Sequence, residues 1–285
     1  MTLAQTLNFT RTADQVFLTQ QAVSRSISAV EKELGFKLFS RSTRSVKLTK
    51  EGEALYVLLD RQMKEYQSAV AHLRMQQHPH NLRVGYQNFL TFHEELKQAM
   101  AELQQLEPKT MLEGNRYCPP VLRKQLECHE LDMVVIYERF FPEQSGYICQ
   151  PLCQIPQYLM VSPEFSVPPD DPLPTLLQAP FLIDRFEYES QREFEARIAM
   201  ERSLFRFTGE TIIVPDRDSA YTYAELGRGV VVGTTCSIMS SGRALVQYES
   251  GIRELLAAVW HEGDANPLPA QYSQLLREAF RSAWT

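Results

Sequence analysis

The stretch Thr19–Gly35, TQQAVSRSISAVEKELG, constrains this chain more than any other. Val23, Ile27, Val30 and Leu34 recur at spacings of four, three and four, so a helix would carry all of them on one face. Thr19 has the hydroxyl of an N-cap, and Gly35 has the freedom needed at the left-handed residue that ends a helix. The residues left facing outward are Gln20, Gln21, Ser24, Arg25 and Ser28, hydrogen-bonding groups with a single charge among them. A face that is merely solvated usually carries more Glu and Lys. A helix lying in the DNA major groove wants side chains of this kind, because Gln pairs with adenine and Arg with guanine. An ordinary amphipathic helix has the same apolar spacing, so the helix alone leaves both readings open.

Its flanks are more specific. Phe9–Val16 shows a short helical pattern and Phe17-Leu18 leads into the cap, which together make a helix-turn-helix. Phe36–Ser40 and Ser45–Leu48 read as short strands joined by the basic tip Arg41-Ser42-Thr43-Arg44, the wing of a winged helix. The continuous stretch AVSRSISAVEKELGFKLFSRSTRSVKLTKEG closely resembles the DNA-binding domain of LysR-type transcriptional regulators. The phrases ELDMVVIY (130–137) and VPDRDSAYTYAELGRGVVVG (214–233) resemble segments of that family's sensor domain.

The resemblance implies an α/β protein: a winged helix over 1–49, a dimerising linker helix and hinge over 50–79, and an effector-binding domain over 80–285 similar to periplasmic binding proteins. Lobe I would comprise 81–161 and 267–285, and lobe II 162–266. The family's partners are a double-stranded DNA operator, a small-molecule effector, RNA polymerase, and further copies of the chain in homodimers or homotetramers. Carried onto this sequence, Thr19, Gln20, Gln21, Ser24, Arg25 and Ser28 become the DNA-binding residues of the helix, and Arg41, Arg44 and Lys47 the phosphate contacts. The family's first helix is normally longer than MTLAQTLNF allows. A second expectation is therefore a small-molecule binding protein whose DNA-binding domain is incomplete.

Charge is distributed accordingly. Residues 1–50 hold eight Lys and Arg against three Asp and Glu, whereas the rest of the chain brings the net charge to −6. One basic segment that meets a polyanion, joined to an acidic remainder, fits this asymmetry. No apolar run approaches the roughly 18 residues of a membrane helix, so a cytoplasmic protein with no membrane partner is expected. The five cysteines (Cys118, Cys128, Cys149, Cys153, Cys236) form no CxxC pair and are read as reduced thiols rather than as disulfides or metal ligands.

Thr49 can cap a long helix from Lys50 to Gln77 with Leu55, Leu59, Met63, Tyr66, Val70 and Leu73 along one stripe. Beyond His78-Pro79-His80 the pattern alternates between strands and helices, predicting a mostly parallel sheet. Strands are expected at Asn81–Tyr86, Thr110–Gly114 (followed by a turn at Gly114-Asn115), Asp132–Tyr137, Phe181–Asp184, Thr211–Val214 and Leu255–Trp260, with two extended pieces within Pro151–Val161. A Pro-rich crossover spans Ser162–Pro174.

Catalytic motifs fail on inspection. His93-Glu94 begins like HExxH, but Lys97 stands at the second histidine position. Gly227-x-Gly229 misses the dinucleotide spacing, and no GxSxG or P-loop occurs. Neither a catalytic residue, a metal ligand nor a cofactor is expected. An effector in an open α/β sheet lies beyond the carboxyl ends of the strands, which nominates Asn88, Phe89, Thr91, Asn115 and Tyr137 from lobe I and Asp184, Ser219 and Thr235 from lobe II. The helix amides at Thr91 and Ser219 would be free for a small polar or anionic ligand.

Overall fold

The structure is a computed structural model that describes residues 1–41, 46–77, 81–88, 93–141, 145–186, 189–234, 243–264 and 266–284. The chain divides into two compact units, Met1–His72 and Leu73–Thr285.

The first unit contains α1 (Thr2–Thr6), α2 (Phe9–Gln15), α3 (Gln20–Leu34), β1 (Phe39–Arg41), β2 (Val46–Leu48) and most of α4 (Lys50–Gln77). Asn8 caps α2, its side chain accepting the N–H groups of Thr10 and Arg11. The two strands form an antiparallel ladder from Phe39↔Leu48 to Arg41↔Val46. Leu3, Leu38 and Phe39 make a small core against which Ile27, Leu48 and Leu55 pack. The inward stripe of α3 differs from the expected one. Val23 is buried, but Val30 and Leu34 are 42% and 38% exposed. Glu31 faces inward instead. Its carboxylate accepts the N–H groups of Leu38 at 3.0 Å and Phe39 at 3.2 Å, and the Lys37 ammonium at 2.8 Å. Gly35, at φ 78°, turns the chain back so that these amides meet Glu31. The inward positions are thus 23, 27 and 31, a steady spacing of four.

Thr49 starts α4 as expected, accepting the Gly52 N–H at 2.9 Å. At Gly52 a Cβ would lie 2.1 Å from the Leu38 carbonyl oxygen, so only glycine lets the helix begin flush against β1. Along α4, Leu59, Met63, Tyr66 and Leu73 are exposed in the single chain, as are Val57 and Leu58.

The second unit is a two-lobed α/β structure. Lobe I contributes β3 (Asn81–Gln87), α5 (His93–Leu106), β4 (Met111–Tyr117), α6 (Pro119–Glu127), β5 (Met133–Tyr137), a 3₁₀ turn (Glu138–Phe140) and the long β6 (Tyr147–Val161). Lobe II contributes α7 (Leu173–Gln178), β7 (Phe181–Asp184), α8 (Gln191–Phe205), β8 (Thr211–Val214), α9 (Arg217–Glu225) and β9 (Val231–Gly233). The chain returns through β10 (Val246–His261) to α10 (Leu268–Trp284). One six-stranded sheet has the order β4-β3-β5-β10-β6-β9, and β7 and β8 pair in parallel. The main sheet is mixed rather than mostly parallel. β3 runs parallel to β4 and β5, but β10 is antiparallel to both β5 and β6, and β9 is antiparallel to β6.

Three further expectations are corrected here. Pro151–Val161 belongs to one 15-residue strand rather than to two pieces. The late strand begins at Val246, well before Leu255. The turn placed at Gly114-Asn115 does not exist, because β4 continues to Tyr117 and Asn115 pairs with Gly85 inside the ladder. β4 is an edge strand whose Glu113–Arg116 side is exposed, and that polar stretch mimics a turn. The β6–β10 ladder breaks register between Glu249 and Arg253, around Gly251 at φ 74°, and there Ser250 Oγ donates to the Gln157 carbonyl at 2.6 Å. Lobe I buries Leu82, Val84, Met133 and Ile136 beneath α6 and α10, and the Tyr86 and Tyr272 hydroxyls meet at 2.7 Å. Lobe II has its own core around Phe181, Phe194, Phe205 and Phe207.

Candidate functional site

In the first unit, α3 presents the residues expected to read DNA. Thr19 caps the helix, its hydroxyl accepting the Ala22 N–H at 3.2 Å. Gln20, Gln21, Arg25 and Ser28 are exposed, and Ser24 is half-buried. Lys47 is exposed on β2. Arg41 closes β1 opposite Val46, while Arg44 and the wing tip lie outside the described residues. The helix is therefore fixed at both ends, by Thr19 and by Glu31, with its polar side clear. Burial works against the Glu31 carboxylate, but the Lys37 ammonium and the two backbone N–H groups outweigh it and hold the pKa below its ordinary value.

In the second unit, strand ends from both lobes converge on one cavity of about 40 Å³. β3 supplies Gln87 and Asn88, and β5 supplies Tyr137, whose N–H donates to Gln87 Oε1 at 3.0 Å. The 3₁₀ turn adds Arg139 and Phe140, and β6 adds Gln157, whose amide donates to the Tyr137 hydroxyl at 3.3 Å. From lobe II come Phe186, Glu201 on α8, Arg217 and Tyr221 on α9, and Val232–Thr234 at the end of β9.

Behind this wall stands a buried set of ion pairs. Arg139 Nε lies 2.8 Å from Glu254, and Arg217 Nε lies 3.2 Å from Asp184. Arg197 meets Glu189 at 2.8 Å and Glu201 at 3.2 Å, donates to the Asp184 carbonyl, and stacks 3.9 Å from the Phe186 ring centre. Burial opposes the charge on Arg217, yet Asp184 and the neighbouring acids more than offset it, so its pKa is raised. An ion pair with Arg139 would by itself lower the Glu254 pKa. Burial, helped by the like charge of Glu201, overcomes both Arg139 and Arg217 and pushes Glu254 up to about 7. Burial and the Glu254 charge likewise push the Tyr137 phenol up.

Of the effector residues nominated from the sequence, Asn88 and Tyr137 line this cavity. Asp184 is buried directly behind the lining residue Arg217. Ser219 sits half-buried on the first turn of α9, and its amide is not free, because Asp216 Oδ1 accepts it at 2.7 Å. Asn115 is exposed in the middle of β4 and is not a lining residue. Phe89, Thr91 and Thr235 lie outside the described residues. Sequence reasoning missed Gln87, Arg139, Gln157, Glu201, Arg217 and Tyr221. Arg139 was within reach of the strand-end argument, since it stands two residues past the end of β5. Nothing in the local sequence marks Gln157 or Glu201 as facing a cleft. Among the described residues, no group of three or more His, Cys, Asp or Glu could hold a metal ion, and no helix is long and apolar enough to cross a membrane.

Comparison with known proteins gives the following. Residues 1–53 match the family described as the bacterial regulatory helix-turn-helix protein, lysR family, and residues 75–281 match the LysR substrate binding domain. The HTH-type transcriptional regulator CitR of Bacillus subtilis is 37% identical over 90 residues, 32% of this chain and 29% of that protein. The glycine cleavage system transcriptional activator of Escherichia coli K12 is 48% identical over 54 residues, 19% of this chain and 18% of that protein. The chain thus matches less than a third of the length of these curated relatives. Full-length BenM shares the fold with a TM-score of 0.54 at 16% identity, covering 99% of this chain and 94% of BenM. Full-length CbnR complexed with its target DNA shares it with a TM-score of 0.53 at 16% identity, covering 97% and 96%.

Proposed function

The chain belongs to the LysR family of bacterial transcriptional regulators, and on that premise we propose that it is a ligand-responsive, DNA-binding regulator of transcription. Residues 1–49 read a double-stranded operator, 50–79 pair two copies, and 80–285 hold a small effector between lobes. Gln20, Gln21, Ser24 and Arg25 reach base edges from the N-terminal half of α3, flanked by Thr19 and Ser28, while Arg41, Arg44 and Lys47 meet phosphates. One observation carries this reading: a helix with a clear polar face, pinned at both ends, shares a chain with a polar-walled cleft between two lobes. The exposed Leu59, Met63, Tyr66 and Leu73 on α4 support a homodimer, which can pair further into a homotetramer. A two-fold protein calls for an inverted-repeat operator. Engagement of RNA polymerase and a cytoplasmic location complete the proposal.

The exposure of Val30, Leu34 and Phe36 favours a second reading, a small-molecule binding protein whose DNA-binding unit is incomplete. One experiment separates the two. Purified protein is used to select duplexes from a random pool, and the selected site is titrated with Arg25→Ala and Lys47→Ala at several salt concentrations. Arg25→Ala is expected to cost roughly 1–3 kcal/mol and relax preference at one base pair. Lys47→Ala should weaken all sequences alike and reduce the salt slope by about one. If no sequence is enriched, the second reading replaces the first; if Arg25→Ala leaves base preference untouched, the docking is wrong.

A further inference from the structure

The wall of the cleft specifies the chemistry of its ligand, given the reading of that cleft as the effector site. Among the described residues, Asn88 Oδ1 and Arg139 Nη1 are buried polar atoms of the lining with no hydrogen-bond partner. They are opposite in sense. The amide oxygen needs a donor, and the guanidinium N–H needs an acceptor, best of all a carboxylate. Arg139 is held by Glu254 on one side and stacks with its guanidinium carbon 4.4 Å from the Phe140 ring centre, a face contact that leaves in-plane N–H groups available. Glu201 adds a second acceptor to the wall, with one oxygen held by Arg197 at 3.2 Å.

Net charge narrows the choice. The buried ion-pair set holds three cations, Arg139, Arg197 and Arg217, against four carboxyl groups, Asp184, Glu189, Glu201 and Glu254, the last of them held partly protonated near neutral pH by its burial. The set is thus close to balanced, and a plain anion on Arg139 would add uncompensated negative charge in a medium that screens it poorly. A molecule carrying an anion and a cation side by side answers both orphaned atoms and leaves the balance unchanged. Size points the same way. The cavity of about 40 Å³ is far smaller than the roughly 150 Å³ that accommodates benzene.

We propose that the effector is a small α-amino acid bound as its zwitterion, with its carboxylate on Arg139 and its ammonium on Asn88 Oδ1 and Glu201. The side chain points to the narrow end beside Gly233, where even an added Cβ would come within 2.9 Å of the Tyr221 hydroxyl.

The test uses the full chain and isothermal titration with glycine, L-alanine, glycolate, acetate and methylammonium. Glycine or alanine should bind at least ten-fold more tightly than glycolate, and acetate and methylammonium more weakly still. Arg139→Gln should abolish amino-acid binding. Asn88→Leu, which keeps the ion pairs intact, should weaken glycine at least ten-fold while leaving acetate unchanged. Acetate or methylammonium matching glycine overturns the proposal, as does glycine binding that survives both substitutions, or no binding by any amino acid. Gly233→Val and benzoate keep this failure distinct from failure of the cleft reading. If benzoate binds and Gly233→Val blocks it, the cleft stands and the amino-acid class falls; if glycine binds and Gly233→Val leaves it unaffected, the cleft itself is the wrong place.

Discussion

Replacing Arg197 with Met should destabilise the second unit more than any surface substitution. The guanidinium is 4% exposed, as are the carboxylates of Glu189 and Glu201 that it joins. Met fills much of the same volume, so packing beside Phe186 is largely kept and the loss is chiefly electrostatic. Two carboxylates in a dry environment then lose the guanidinium that joins them, and the Asp184 carbonyl loses a donor. Breaking a buried pair by removing one partner costs about 3–5 kcal/mol, because the remaining charge is uncompensated. For a unit of this size 1 kcal/mol corresponds to about 2–4 °C, so its calorimetric transition should fall by roughly 6–20 °C at pH 7.5. Combining Arg197→Met with Glu189→Gln and Glu201→Gln should recover most of the loss, since no buried charge then remains unpaired. A single-variant loss below about 1 kcal/mol, or a triple variant no better than the single, would refute the view that charge compensation holds lobe II together.

Glu254, with its pKa raised from 4.5 to about 7, binds a proton in the folded chain that the unfolded chain has already lost. Its stabilising contribution is fully present below pH 4.5 and disappears as pH rises through 7, a change on the order of 3 kcal/mol. Glu254→Gln should remove that slope, so a difference between wild-type and variant melting temperatures that stays flat from pH 4.5 to 8 contradicts it. Glu31 has the opposite sign, since its lowered pKa contributes stability above pH 4.5 that fades as pH falls. Glu31→Ala should cost about 2–3 kcal/mol and strip hydrogen-exchange protection from the Leu38 and Phe39 amides specifically. Asp at both Leu59 and Val70 would place unpaired charges in the proposed α4 seam, and sedimentation velocity should then report a monomer; an unchanged oligomer places the interface elsewhere.

Much of this architecture can be read from the residues, and the failures share a cause. Periodicity located α3 and α4 because their patterns repeat over several turns. It mistook the inward face of α3 because a carboxylate at position 31 reads as solvated, whereas three donors six to eight residues downstream draw it inside. The first half of β10, Gln247 to Gly251, is polar and half-exposed and carries no strand signal of its own; its pairing with β6 decides its structure. Asn88 and Tyr137 were accessible from the strand-end rule, since they lie next to the chain segments that define it. Gln157, Glu201 and Arg217 reach the cleft from distant segments, and their convergence is a property of the fold alone.

The position of β10 at the centre of its sheet bears on how the protein is made. β5 and β6 both lie against β10, yet it leaves the ribosome only after both of them and the whole of the intervening lobe II. Until residue 261 has been synthesised, the facing edges of those strands have nothing to pair with, and the apolar run Met133–Tyr137 sits on one of them. Unpaired strand edges of this kind recruit other chains. The nascent protein therefore passes through a window, opening at β5 and closing only with β10, in which its yield depends on chaperone capacity rather than on the stability of the finished fold.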